Sequence, residues 1–144
     1  MQHHVMKSVT AGIAGTVVMT MMGLFVAPMM GIPRMNPAEM LAGQMGGVML
    51  LGWVAHLMIG VILAVAYAAL FAARLPGPPA LRGAVYGLIP FLMAQLIVMP
   101  MMGMPLFSGS VPMAMGSLIG HLVYGMVVGA LVGDSTRQQR LAAV

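Results

Sequence analysis

Four long apolar stretches run along this chain, at about residues 8–30, 46–73, 83–102 and 111–132, and short polar or proline-bearing breaks separate them. Each has the roughly 20 residues that a helix needs to cross about 30 Å of hydrocarbon. None alternates apolar and polar positions as the strand of a lipid-facing barrel would. In lipid the backbone must satisfy its own amides, so spans of this length predict helices. The pattern predicts an all-α integral membrane four-helix bundle, a single transmembrane domain over residues 1–144.

The breaks carry their own signals. Asn36-Pro37-Ala38-Glu39 reads as an N-cap, a proline at the first helical position and an acid in the first turn. One helix from there to Ala73 would overhang the bilayer, so the pattern predicts a short interfacial helix and a break near Gly46-Gly47. Ser110-Val111-Pro112 opens the fourth span in a similar way, and Gly133-Asp134 closes it. The polar tail 134–144 is expected to fray, as is the start of the chain with His3 and His4.

The two halves resemble each other. "PMMGIP" at 28–33 recurs as "PMMGMP" at 100–105, and a glycine precedes each proline by 13 residues, Gly15 and Gly87. Downstream, Ala55-His56-Leu57 with Gly60 recurs as Gly120-His121-Leu122 with Gly125. This predicts two tandem helical hairpins, about 8–73 and 83–133, in parallel orientation about a pseudo-two-fold axis along the membrane normal.

Composition agrees with lipid as the solvent. Only 6% of residues are charged, against about 25% in a soluble domain, and the mean hydropathy is +1.03. Lys7, Arg74, Arg82, Arg137 and Arg140 fall on one side of the spans and Arg34 on the other. The positive-inside rule then places both termini in the cytoplasm and the chain in the inner (plasma) membrane, with no cleaved signal peptide. The scattered cations do not suggest nucleic acid. There are no cysteines, which excludes disulfides and thiolate metal sites.

The chemistry to explain is His56 and His121, each about ten residues below one end of its span and so near mid-membrane. Polar groups at that depth are costly and tend to be functional. Across a pseudo-two-fold axis, two imidazoles can share one metal ion or the iron of one haem. Gly52 and Gly60 flank His56, and Ser117, Tyr124 and Gly125 flank His121. Such small residues let a flat macrocycle approach, and they equally mark ordinary helix packing. The bland reading of each histidine is a hydrogen bond to a carbonyl or to Thr16, Thr20 or Gln95.

Of the twenty methionines, sixteen lie in the half of the bundle away from the termini, and Met1, Met6 and Met126 lie plainly in the other. Thioethers suit Cu(I) and also make adaptable packing surfaces. Met19, Met22 and Met93 lie nearest the histidine level and are the expected sulfur donors. No span contains Asp, Glu, Lys or Arg, which weakens an ion-coupled carrier. No catalytic triad, carboxylate pair or nucleotide loop occurs, so the chain is not expected to be an enzyme. Arg34 and Glu39 are expected to pair weakly at the surface.

The stretches "AGTVVMT" (14–20), "PMMG" (28–31), "GWVAHLMIG" (52–60), "LPGPPALRGAVYG" (75–87) and "AMGSLIGHLVYG" (114–125) resemble a family of small, uncharacterised, methionine-rich four-span prokaryotic membrane proteins. The resemblance covers most of the chain. It implies four helices and a membrane location, and it supplies no activity and no site residues.

Two functions follow as expectations. The first is a His56–His121 site for copper or haem b, in an accessory or assembly component of a respiratory or oxidase-type complex. The second is a cofactor-free subunit that packs on other membrane subunits, or on copies of itself, through its methionines.

Overall fold

The computed structural model describes residues 2–133, with side chains from Val5 onward. The tail 134–144 and the side chains of His3 and His4 lie outside the described residues. Four helices are long and apolar enough to cross a membrane: α1 (Val5–Met29), α3 (Met49–Phe71), α4 (Pro79–Met101) and α5 (Val111–Val132). A short α2 (Pro37–Gln44) precedes α3. Among the described residues there is no strand. The helical backbone begins at Gln2, where the sequence predicts a fraying start.

Local chemistry sets the boundaries. The Asn36 side chain accepts hydrogen bonds from the amides of Ala38 (3.2 Å) and Glu39 (3.4 Å), and Pro37 follows as the first helical residue. Gly46 and Gly47 have φ of +71° and +80°, which a right-handed helix cannot include, so α3 starts only at Met49. Rather than standing free at the interface, α2 packs on the start of α3. Its buried Ala38 and Ala42 lie against Gly52, where a Cβ would overlap the Ala38 carbonyl oxygen.

The two "PMMG" stretches fold alike. Helix α1 widens to a π turn at Met22–Val26 just ahead of Pro28, and α4 does so at Ala94–Val98 ahead of Pro100. Proline offers no N–H and crowds the carbonyl four residues back, and the wider turn relieves that crowding. Both helices then end in the same cap. Gly31 N donates to Pro28 O (3.1 Å) and Ile32 N to Ala27 O (3.0 Å). Likewise Gly103 N donates to Pro100 O (3.0 Å) and Met104 N to Met99 O (3.0 Å). Gly31 and Gly103 both have φ of +77°, a conformation that favours glycine.

Helix pairing follows the small residues. Helix α1 packs on α3 and on α5, and α4 packs on α5. Gly83 and Gly87 of α4 meet Gly125, Gly129 and the His121 backbone of α5 so closely that a Cβ at Gly83 would overlap the Gly125 carbonyl oxygen. Gly12 of α1 meets Val61 of α3, and Gly60 of α3 meets Thr16 of α1. The order around the bundle is therefore α3–α1–α5–α4.

The α3–α4 seam closes the ring only on the side of the termini. There Tyr86 packs its ring 5.2 Å from that of Tyr67 and 5.0 Å from that of Phe71, and its hydroxyl donates to Leu63 O (2.8 Å). Arg82 donates to the Ala72 carbonyl across the same seam. The core, with Ala11, Ala64, Tyr67, Ala72, Tyr86, Tyr124, Val128 and Val132, fills this half of the bundle. The other half is hollow.

Candidate functional site

The hollow half holds a cavity of about 540 Å³ lined by all four long helices, by α2 and by the turn before α5. Its size is that of an organic molecule, since pockets for such ligands run from about 300 to 1,000 Å³. Both His56 of α3 and His121 of α5 line it. Gly60 is one turn beyond His56, Tyr124 is nearly one turn beyond His121, and the Tyr124 hydroxyl donates to Gly60 O at 2.6 Å.

Each ring has one nitrogen engaged in a hydrogen bond. Thr20 Oγ1 lies 2.7 Å from Thr16 O and 3.0 Å from His56 Nε2, and with its proton given to Thr16 O it accepts from the ring. His56 is then protonated on Nε2 and bare on Nδ1. His121 Nδ1 lies 2.8 Å from Ser117 O, an oxygen that only accepts. His121 is then protonated on Nδ1 and bare on Nε2. Neither bare nitrogen has a hydrogen-bond partner among the described residues. A ring whose N–H is anchored on one side and whose lone pair is free on the other is the usual state of a metal-binding histidine. Edge-on contact with Phe91, its centroid 6.0 Å away, further restrains the His121 ring.

A second polar group belongs to the same cavity. Gln95 is buried on α4 within its π turn. Its Nε2 donates to Ser117 Oγ (2.9 Å), and its Oε1 accepts from Ser108 Oγ (3.1 Å). Gln95 thus ties α4 to α5 and to the turn Leu106–Gly109. In the sequence Gln95 stood out only as a spare partner for a histidine. Ser108 gave no signal, because its role depends on a left-handed turn that places it over the cavity.

The expected sulfur donors divide. Met19 and Met93 line the cavity with the histidines, whereas Met22 faces a separate crevice of about 30 Å³ beside Gly23 and Gly116. Six methionines that sequence counting did not single out also line the cavity: Met35, Met40, Met99, Met102, Met104 and Met113. They come from the breaks and helix ends, whose path a hydropathy pattern does not trace. Of the residues expected to pack a cofactor, Gly60, Ser117 and Tyr124 line the cavity. Gly52 instead faces α2, and Gly125 faces α4.

Arg34 and Glu39 both lie on the cavity rim without forming the expected ion pair. Among the described residues no group of three or more His, Cys, Asp and Glu gathers to hold a metal ion, so any ion here would depend on the two imidazoles and on sulfur.

The chain belongs to the family of unknown function DUF6789, whose family model matches residues 2–143. No curated protein and no solved structure matches it.

Proposed function

We propose that this member of the family is a multi-pass membrane protein whose His56 and His121 hold a redox-active prosthetic group inside the bilayer, with haem b as the first candidate. The observation that carries the reading is the state of the two rings. Each has one nitrogen engaged in a hydrogen bond, and each keeps its other nitrogen without a partner among the described residues, on the wall of one shared cavity. The cavity volume favours a macrocycle over a single ion, because a lone ion fills only a small fraction of about 540 Å³.

Copper is the second candidate. It is favoured by the eight methionines that line the same cavity, since thioethers suit Cu(I). In this reading the two hairpins are tandem repeats with both termini in the cytoplasm, and their matching caps support the repeat. The redox chemistry suits an accessory or assembly component of a respiratory or oxidase-type complex.

A different class of function, a cofactor-free subunit, draws on another observation. Met29 and Met101 are 86% and 81% exposed, as a contact face for another subunit would be.

Absorption and metal analysis of the detergent-extracted protein separate these readings. The proposal expects a Soret band, or stoichiometric copper, that is lost in His56→Ala and in His121→Ala while helix content is retained. Folded wild-type protein that binds neither haem nor copper on titration would overturn it. So would a cofactor that survives in both variants.

A further inference from the structure

The cavity lies between the four long helices, with Arg34 and Glu39 on its rim at the surface away from the termini. Helices α1 and α5 form its back, packed against each other. Tyr124, Leu63 and the Tyr67–Tyr86–Phe71 cluster close it toward the termini. Met35, Pro37, Met40, Leu41, Met104 and Ser108 line it toward the opposite surface. The cavity also opens along the α3–α4 seam, where Ile59 of α3 and Met93 of α4 line it and are 44% and 47% exposed. In a membrane that seam faces hydrocarbon.

We infer that the α3–α4 seam is a lateral port, and that the guest of the cavity is a bilayer-soluble amphiphile of ring size that enters sideways from the lipid. This inference rests on the reading above in using the same cavity, but it concerns the route and solubility of the guest rather than its iron or copper. Three observations carry it. The seam is sealed at one end by three aromatic rings and is sparse along the rest of its length. The walls beside the opening are apolar (Ile59, Leu63, Pro90, Met93 and Val98), which suits a hydrocarbon body. The polar groups, His56, His121 and the Gln95–Ser117–Ser108 chain, converge inside, where they would receive one polar end of the guest.

The test plugs the port with Ile59→Phe/Met93→Phe and uses Leu50→Phe as a lipid-facing control outside the cavity. Native mass spectrometry of protein released from membranes is expected to show a bound lipid-soluble adduct on wild type and control, reduced at least tenfold in the plugged variant. In vesicles, haem dissolved in the bilayer is expected to give a Soret shift on wild type, with the plugged variant loading at least tenfold more slowly. Equal adducts and equal loading in wild type and plugged variant would overturn the port, as would the absence of any adduct on wild type. An adduct without a Soret shift removes the haem reading and leaves the port standing. Haem loading at an unchanged rate in the plugged variant removes the port and leaves the haem reading.

Discussion

At the scale of single residues, Thr20 decides how His56 behaves. With its hydroxyl proton given to Thr16 O, its oxygen accepts from the ring and holds the proton on Nε2. Thr20→Val keeps the shape and removes the acceptor. A buried N–H left without a partner costs about 1–3 kcal/mol, and losing the group that orients a ligating histidine lowers affinity about 10–100-fold. Thermal unfolding in detergent should therefore fall, and haem titration should weaken by that factor. Thr16→Val, which removes only a bond to Gly12 O, should leave the titration nearly unchanged. Equal weakening by both variants would show that the Thr20 contact does not orient the ring. The sequence made both histidines conspicuous, since an ionisable group in an apolar span stands out. It could not show which nitrogen is bare, because that depends on a threonine 36 positions away.

At the scale of elements, glycines divide by what a methyl group would meet. A Cβ at Gly125 would overlap the Gly83 carbonyl oxygen, a backbone atom that cannot swing aside, whereas a Cβ at Gly43 in α2 meets open space. Gly125→Ala should destabilise by about 1–3 kcal/mol or more through overpacking. Gly43→Ala should stabilise by about 0.5–1 kcal/mol through helix propensity. Unfolding midpoints of the two variants, measured side by side, check the sign of each. The turn Leu106–Gly109 offers a second contrast, for Phe107, Ser108 and Gly109 all have positive φ, at 53°, 58° and 61°. Ser108→Ala loses the bond to Gln95 and keeps the strained backbone. Ser108→Gly loses the same bond and relieves the strain, so it should be the more stable by about 1 kcal/mol. The reverse order would mean that the turn is not strained at this position. Apolar length alone revealed the four spans, and Asn36-Pro37 marked the start of α2. The π turns did not show, because they arise from the way a proline is absorbed three-dimensionally, and α2 looked detached because its alanines give no hint that Gly52 receives them.

At the scale of the whole molecule, the bundle is uneven: close-packed toward the termini and hollow toward the other surface. The sequence hinted at this through the methionines, which gather in the hollow half. The open seam was not legible, since it is a contact that two helices do not make. The pairing order α3–α1–α5–α4 also bears on how the chain is made. Helices α1 and α3 complete their contact before α4 has been synthesised, and α4 and α5 zip through glycines that adjoin in the second half of the chain. The α1–α5 face, with the aromatic seam of Tyr67, Phe71 and Tyr86, joins the early half to the late one. Each half can therefore leave the translocation machinery as a finished pair of helices, and biogenesis reduces to one docking event in the plane of the membrane.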